Sequence, residues 1–376
     1  MPLAGYLSIT IYAILFAFCT FSSRVAQRQA AECGQLSENT RAKMPLWLIF
    51  AYALLFTLYN VYCTETGAAL GYDRSNYAYD FVHFGARNAL SVGLEAIFNI
   101  VLLFGGTIET VFYLSTFLCC ALTFYAYRLS DAASAPVIPL LLCSEFVFFT
   151  FTALKQCYAC AFASLFFVLM MRKRTAANTL AALLMMVLAC LFHTVGYVLI
   201  PLFFLLLSRE KRDISFLIIG AALIAIVFFL PQIALLLEAI TSPIIPSLAA
   251  KIRAYFGALA VTSGNEASPF SFLKWIPFYF ITAYGFFRRR ELQPQIPNYD
   301  AYLVISCVAS AAALCSFTSY WFYRFLYMFF LPVFIFYNQM AEKSDDRRGP
   351  DIVVYGGLGF LLLRFLVQVY VYYGGF

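Results

Sequence analysis

The chain has 376 residues, of which 63% are hydrophobic and only 12% are charged. A soluble globular chain is roughly 45–50% apolar and about one quarter charged. The charged groups here are therefore too few to cover a soluble surface, and the net charge of +6 is small. The same composition excludes a disordered chain, a coiled coil, collagen and a nucleic-acid-binding domain. The sequence predicts an all-α, polytopic integral membrane protein.

Apolar segments of membrane-spanning length follow one another along the whole chain. A helix that crosses a bilayer needs about 20 mostly apolar residues, and about twelve segments qualify, with roughly ten to fourteen as the range. The N-terminal segment has no charge before Arg24, so it is interpreted as a first span and not as a cleavable signal peptide. The predicted spans are 3–22, 46–63, 107–127, 134–151, 156–171, 176–193, 194–208, 214–237, 270–287, 300–317, 325–340 and 352–373.

Basic residues indicate how these spans are oriented. Compact clusters of Lys and Arg occur at 172–174, 209–212, 288–290 and 347–348. Because Lys and Arg concentrate in cytoplasmic loops, these clusters predict that both ends of the chain lie outside. Residues 1–376 are then one transmembrane domain, with outer connections 64–106 and 238–269 at the rim of an outward-facing site. Within the first connection, the stretch 91–106 is apolar but contains Glu95, which predicts an interfacial or re-entrant helix.

Cysteine and tryptophan usage fits a membrane chain. The eleven Cys are scattered, mostly in apolar segments, so no disulfide framework is predicted. Cys157 and Cys160 form a C-x-x-C motif inside an apolar stretch, where packing is a better interpretation than redox or metal chemistry. Trp47, Trp275 and Trp321 fall near predicted span ends, as residues of an aromatic belt do.

Ionisable residues on the outer side point to a functional site. Signatures of P-loop, dinucleotide-binding and H-E-x-x-H chemistry are absent from the sequence. Charged groups at a membrane edge are costly, so those that topology does not explain are candidates for function. The segment 71–80 places Asp73 and Arg74 among Tyr, Ser and Asn residues, a composition typical of a sugar-binding surface. Asp73 is a candidate general base, and the alternative is a solvated loop with an Asp-centred turn.

Lys155 and His193 occur at predicted outer turns between apolar segments. Lys155 is either a phosphate-binding residue or the ion-pair partner of Glu145, ten residues earlier. His193 is one of two His in the chain, and a single His in an apolar helix is either a packing residue or a catalytic group. With no second His nearby in sequence, a metal site is not predicted.

Two arginines late in the chain are candidates for binding phosphate. Arg324 opens the predicted span 325–340 between aromatic neighbours, where its fork of donors suits either phosphate or simple snorkelling to the interface. Arg364 lies midway along an apolar span, where snorkelling is harder. It requires a partner, which is either Glu145 or a lipid phosphate.

The order of these motifs resembles the EpsG family, the compact Wzy-type branch of polysaccharide polymerases. Asp73 is followed four residues later by Tyr77, and Glu95 opens an apolar helix. The later motifs are a basic residue before Gln, a His after a hydrophobic helix and an aromatic-flanked Arg, namely Lys155-Gln156, His193 and Tyr323-Arg324-Phe325. The family usually has Arg before the Gln, and Lys155 keeps the charge but loses the two-pronged donor geometry.

The resemblance implies a membrane glycosyltransferase with a GT-C-like bundle of helices and an outer-face cavity. It would transfer a growing glycan from undecaprenyl pyrophosphate to a lipid-linked repeat unit, outside the bacterial cytoplasmic membrane, with no cofactor or metal. A chain-length regulator and a flippase are the implied protein partners, membrane lipids surround the chain, and no nucleic acid is expected. The implied roles are catalysis by Asp73 or His193, pyrophosphate binding by Lys155, Arg324 and Arg364, and sugar binding by Arg74, Tyr77, Glu95, Gln156 and Tyr323.

Two other classes of function stay open at this point. A GT-C-type transferase that uses a polyprenyl monophosphate sugar would also place an acidic residue in the first outer loop, although often as a pair. A flippase or transporter of lipid-linked glycans fits the number of spans, but it often shows two related halves. No internal repeat is visible in this sequence.

Overall fold

The computed structural model describes residues 46–65, 72–83, 91–130, 153–207, 235–246, 275–318, 323–344 and 351–354, with a few isolated positions besides. Every element of regular secondary structure among these residues is a helix, as expected of an all-α protein. The chain divides into two compact units, Met1–Leu206 with Leu358–Phe376 and Leu207–Gly357. They are called unit 1 and unit 2, and each is described by itself.

Most of the described helices of unit 1 lie where the hydropathy pattern predicts them. Predicted helices at 46–63, 107–127, 156–171, 176–193 and 194–208 are confirmed to within a few residues. The spans predicted at 3–22, 134–151, 214–237 and 352–373 lie mainly outside the described residues. The helices are α1 Leu46–Glu65, α2 Tyr72–Val82, α3 Val92–Leu103, α4 Ile108–Leu129, α5 Leu154–Met171, α6 Ala176–Phe192, a 3₁₀ helix Thr194–Val198 and α7 Leu199–Leu207.

Two of the described helices, α4 and α5, are long and apolar enough to cross a membrane by length and composition. Six further apolar helical stretches in the described part are shorter. α5 is also the most deeply packed of the unit 1 helices, with nearly every residue from Leu154 to Met171 buried. It therefore forms the centre against which the other elements of unit 1 are arranged.

Contacts along these helices fix their relative directions. α1 and α4 are antiparallel, because Asn60 near the end of α1 bonds Thr116 early in α4, while Tyr52 meets Phe124 further along. The Tyr158 hydroxyl donates to Ser115 Oγ at 3.2 Å, so the starts of α4 and α5 lie at the same end. α6 returns to that end, where Phe192 stacks on Tyr158 with ring centres 4.4 Å apart.

The connection predicted as an outer loop contains the helix α2. Asp73 lies in its first turn, where a carboxylate complements the helix dipole. The interpretation of this segment as a loop with an Asp-centred turn is therefore wrong. α2 has low overall hydropathy but two distinct faces, since Arg74 and Tyr77 are buried while Ser75 and Asn76 are exposed. A search for apolar spans does not detect a helix of this kind.

α3 lies within the stretch 91–106, where a helix is predicted, and its 12 residues are too few to cross a bilayer. Its interfacial or re-entrant placement stays a prediction. Gly105 follows the C-cap of α3 with φ of 67°, a left-handed conformation that glycine adopts without steric cost and that commonly ends a helix. At the other end of α3, Gly93 lies so close to the Phe192 ring that an added Cβ would be 2.6 Å from it. This close approach joins α3 to the end of α6.

The C-x-x-C cysteines are part of the packing of α5. Cys157 and Cys160 are free thiols with about 1% of their surface exposed. Cys157 belongs to an apolar cluster with Cys119, Tyr158, Ala161 and Phe192. These contacts agree with the packing interpretation of the motif.

Unit 2 is centred on α11, whose residues from Leu326 to Ala341 are all buried. Trp275 lies at a helix end, as predicted, because it is the N-cap of the helix Ile276–Phe287, and its side chain is fully buried against Phe278, Tyr327 and Phe330. Its place in an aromatic belt stays a prediction. At the charged end of the unit, Arg289 Nε bonds Asp300 Oδ1 at 3.1 Å. The helices of unit 2 are α8 Ile276–Phe287, α9 Arg289–Leu292, α10 Tyr299–Thr318 and α11 Tyr323–Lys343.

Candidate functional site

Most of the residues predicted from the sequence to form a site lie at one end of unit 1. The end of α1, the whole of α2, the starts of α4 and α5, and the end of α6 meet there. Seven of the predicted site residues lie on these elements or on the adjoining α3: Asp73, Arg74, Tyr77, Glu95, Lys155, Gln156 and His193. They span 121 positions in the sequence, so the convergence comes from the fold and not from proximity along the chain.

Lys155 lies in the first turn of α5 and reaches over α2. Its Nζ atom is 5.7 Å from the centre of the Tyr77 ring, within the range of a cation–π interaction. Tyr77 itself is 8% exposed and packs edge-on against Phe112. The ring is therefore held in place by Phe112, and the half-buried Lys155 ammonium group lies over it. This end of unit 1, around Asp73, Tyr77 and Lys155, is called the rim.

The first turn of α5 adds a second source of positive potential. Its N-cap residue is Ala153, which makes no side-chain hydrogen bond to the helix. The first N–H groups of a helix carry the positive end of its dipole and are not used by the helix itself. Lys155 therefore adds its charge to a position that already favours anions.

Asp73 precedes Tyr77 by one helical turn on α2 and is half-buried. Residues four apart lie on the same side of a helix. The carboxylate is thus on the side of α2 that carries the Tyr77 ring, over which Lys155 lies. The helices α2 and α5 thus bring a carboxylate, from Asp73, and an ammonium group, from Lys155, to the same rim.

Arg74 is buried below this rim in a hydrogen-bonded network with α1. Its Nη1 donates to Asn60 Oδ1 at 3.2 Å and its Nη2 to Thr64 Oγ1 at 2.6 Å. The guanidinium carbon lies 3.9 Å from the centre of the Phe112 ring. Asn60 in turn donates to Thr116 on α4. Arg74 therefore fastens α2 to α1 and α4, and its predicted contact with sugar stays a prediction.

Glu95 and Gln156 sit beside the same junction. Glu95 is half-buried in the first turn of α3, two residues after Gly93, which contacts Phe192. Gln156 follows Lys155 and is 1% exposed. Both residues are close to the rim in the fold, and their sugar-binding roles stay predictions.

His193 ends α6 and begins the 3₁₀ helix. The Val195 N–H donates to His193 Nδ1 at 3.1 Å, so the imidazole acts as the N-cap. An N–H group must meet an unprotonated nitrogen, and the neutral ring therefore carries its proton on Nε2. In this state His193 presents an N–H donor at Nε2 and no free base there.

The arginine candidates late in the chain cannot be placed in this way. Tyr323 and Arg324 begin α11, but their side chains lie outside the described residues, as does the whole of Arg364. Their roles stay predictions from the sequence. In the part of the chain that the structure describes, no group of three or more His, Cys, Asp or Glu residues is arranged to hold a metal ion.

Comparison with known families identifies the group to which this arrangement belongs. A family model described as the EpsG family matches residues 44–375, which is most of the chain. The chain belongs to the EpsG family. This confirms the resemblance inferred from the sequence, and it makes the chain a membrane protein of the polysaccharide polymerase type. No curated protein matches it, and no solved structure matches it.

In this EpsG family member, the residues that hold α2 in place are not among those predicted from the sequence. Asn60 is fully buried and Thr64 lies one turn later, both on the face of α1 that meets Arg74. Two polar residues spaced by four near the end of an apolar segment are a detectable pattern, because buried polar groups require partners. The sequence does not say that the partner is Arg74, which follows Thr64 by ten residues.

Proposed function

We propose that this protein polymerises lipid-linked oligosaccharide units at the outer face of the bacterial cytoplasmic membrane. It transfers the growing glycan from undecaprenyl pyrophosphate to a hydroxyl group of the next lipid-linked unit. No metal or nucleotide sugar takes part. The observation that carries the proposal is the position of Lys155, an ammonium group held over the Tyr77 ring beside the Asp73-bearing face of α2.

The chemistry requires one bond to form as another breaks. The acceptor hydroxyl oxygen bonds to the anomeric carbon of the donor glycan, and the bond from that carbon to the pyrophosphate oxygen breaks. The hydroxyl proton passes to a base, while the departing pyrophosphate takes the electron pair and gains negative charge. Fixed positive groups at the site of developing charge supply much of the rate enhancement in reactions of this kind.

Lys155 suits the leaving group in this scheme. Its charge comes at the first turn of α5, where the helix dipole also favours an anion. The Tyr77 ring restricts where the ammonium group can go without neutralising it. A pre-positioned cation of this kind stabilises the departing pyrophosphate and replaces the metal ion that many phosphate-binding sites use.

Asp73 suits the role of base better than His193 does. The Asp73 carboxylate is half-buried in the first turn of α2 and can accept a proton. His193 Nδ1 already accepts the Val195 N–H, and its Nε2 carries the proton. We therefore assign proton removal to Asp73, and hydrogen-bond donation toward a phosphate or sugar oxygen to His193 Nε2–H.

The remaining features of the proposal come from the sequence and the family. Arg324 and Arg364 are proposed further pyrophosphate contacts, while Glu95, Gln156 and Tyr323 are proposed sugar contacts. The protein would cross the membrane many times and receive its substrate from a flippase. A chain-length regulator is the expected protein partner.

The direct test uses purified protein in nanodiscs with a lipid-linked repeat unit and EDTA, and without nucleotide sugars. The products are separated on a gel. A ladder that rises by one repeat unit per rung is the expected result. Absence of a ladder, together with movement of the same lipid across a liposome bilayer, would support a transporter instead. A ladder that forms only with a monophosphate-linked sugar would support the other class of transferase.

A further inference from the structure

The exposed side of α2 carries a line of side chains that the proposed chemistry does not use. Ser75, Asn76, Tyr79 and His83 are all exposed, and Asp80 is half-buried beside them. Ser75, Tyr79 and His83 are spaced by four, so they follow one another along a single side of the helix. The line combines a hydroxyl, an amide, a carboxylate and two flat rings, and it is called the α2 stripe.

Two rings of the α2 stripe are stacked on one another. The ring centres of Tyr79 and His83 are 4.1 Å apart with an angle of 26° between their planes. The His83 Nδ1 atom lies 2.9 Å from the Tyr79 carbonyl oxygen. A carbonyl oxygen only accepts, so Nδ1 carries a proton, and Nε2 is an acceptor whenever the ring is neutral.

The stacked pair is held by the opposite side of the same helix. Arg74 bonds α1, Tyr77 packs on Phe112, and Phe81 meets Phe98 edge-on at 5.1 Å. Three anchors spread along α2 leave the helix little freedom to rotate. The Tyr79 ring, with 48% of its surface exposed, is therefore presented in a fixed orientation.

We propose that the α2 stripe is an oligosaccharide subsite, in which Tyr79 and His83 form the platform for one sugar ring. This proposal rests on the proposed function, because it assigns the stripe to the glycan that the transferase extends. A pyranose ring has an apolar face that packs on an aromatic surface and a rim of hydroxyl groups. Ser75, Asn76, Asp80 and His83 Nε2 supply donors and acceptors for such a rim.

The position of the stripe favours a glycan over a lipid or a protein partner. It lies on the helix that also carries Asp73, and Lys155 contacts that helix through Tyr77. A glycan that reaches the proposed catalytic residues would therefore meet the same helix, whose exposed side carries the stripe. A lipid-facing stripe would be apolar, whereas this one has a polar group at nearly every turn.

Binding of free oligosaccharide separates this proposal from the catalytic one. The probe is the host's own repeat-unit oligosaccharide, released from its pyrophosphate lipid by mild acid, with binding measured by saturation-transfer NMR on protein in nanodiscs. The variants are Tyr79→Phe, Tyr79→Leu and His83→Ala. Tyr125→Leu is the matched control, because Tyr125 is also an exposed tyrosine of unit 1 but lies near the opposite end of α4.

Loss of the ring in Tyr79→Leu is expected to weaken binding of the oligosaccharide by roughly tenfold, the ratio that about 1.4 kcal/mol of lost stacking produces. Tyr79→Phe keeps the ring and is expected to stay within roughly threefold of the parent chain, as is the Tyr125→Leu control. Equal binding of the oligosaccharide by all variants and the parent chain would overturn the subsite. A change in the length of the polysaccharide in these variants would then be an effect of a partner protein.

Polymerisation measured in parallel distinguishes the two proposals. If the parent chain forms no ladder but its binding of oligosaccharide depends on Tyr79, the subsite stands and the transferase proposal fails. If a ladder forms with an unchanged KM for the acceptor in Tyr79→Leu, and oligosaccharide binding is also unchanged, the transferase stands and the subsite fails.

Discussion

The Lys155 Nζ atom lies 5.7 Å from the centre of the Tyr77 ring, which joins the first turn of α5 to the middle of α2. The contact places an ammonium group beside the helix that carries Asp73. The ring attracts the ammonium group through its π-electrons and so fixes its position without adding a charge of its own.

The first prediction concerns the charge at this position. Lys155→Ala is expected to lower kcat for polymerisation by about a hundredfold, as removal of one pre-positioned donor to developing charge does in other enzymes. Lys155→Arg is expected to retain most of the activity, because guanidinium also stacks on Tyr77 and binds phosphate. Initial rates of ladder formation in nanodiscs measure both effects.

Lys173→Ala is the control for this series. Lys173 is an exposed lysine in the connection that follows α5, at the opposite end of that helix. Its substitution is expected to leave the rate unchanged. Equal losses in Lys155→Ala and Lys173→Ala would contradict a specific role for the charge at the rim.

A second prediction concerns the network around Arg74. Arg74→Ala removes two hydrogen bonds from a charged donor to Asn60 and Thr64. Such bonds contribute about 1.5–3 kcal/mol each, so a loss of at least about 3 kcal/mol in the free energy of unfolding is expected. Arg74→Lys is expected to recover only part of it, since one ammonium group cannot replace the forked donor.

Thermal unfolding in detergent measures these changes. Arg174→Ala, at an exposed position, is expected to shift stability by less than about 0.5 kcal/mol. If Arg74→Ala unfolds at the same temperature as the parent chain, the network does not anchor α2. A lowered kcat in Arg74→Lys with unchanged binding of oligosaccharide would indicate that Arg74 positions Asp73.

A third prediction separates the two functions of His193. His193→Asn is expected to keep the cap, because an Asn side-chain oxygen can accept the Val195 N–H. It loses the Nε2–H donor, so polymerisation is expected to fall about tenfold or more at unchanged thermal stability. His193→Ala should lower both. Full activity in His193→Asn would mean that the residue acts only as a cap.

A fourth prediction concerns the turn behind His193. A Cβ added at Gly196 would lie 2.6 Å from the backbone of Ala189 and Cys190, which cannot move aside as a side chain can. Gly196→Ala is therefore expected to destabilise unit 1 by about 1–3 kcal/mol and to displace His193. Gly356→Ala, where nothing lies within 4 Å, is the matched control and should have little effect. Equal unfolding temperatures of both variants would contradict this packing.

The sequence predicts much of the helical fold, because long apolar segments reveal themselves by hydropathy alone. The bounds of α1, α4, α5 and α6 follow from it to within a few residues. Hydropathy does not reveal α2, because the side that packs on the protein consists of Arg74, Tyr77 and Phe81, whose mean hydropathy is low. A short amphipathic helix of this kind is stabilised by tertiary contacts that no local pattern contains.

Candidate site residues are easier to predict from a sequence than the residues that they contact. Ionisable side chains in apolar surroundings draw attention to Lys155 and His193 wherever they occur. The sequence suggests Glu145 as a partner of Lys155, because it is close along the chain, but Glu145 lies outside the described residues. The structure places Lys155 over the ring of Tyr77, 78 positions earlier. Pairings over such distances depend on how helices pack, which hydropathy does not encode.

The central claim is that glycan transfer in this protein expels a pyrophosphate lipid that Lys155 stabilises. The most direct measurement counts undecaprenyl pyrophosphate released against glycosidic bonds formed, by mass spectrometry of a single reaction in EDTA. The account predicts one pyrophosphate lipid for each bond, with both rates falling together in Lys155→Ala. Bonds formed without release of pyrophosphate lipid, or an unchanged release rate in Lys155→Ala, would contradict it.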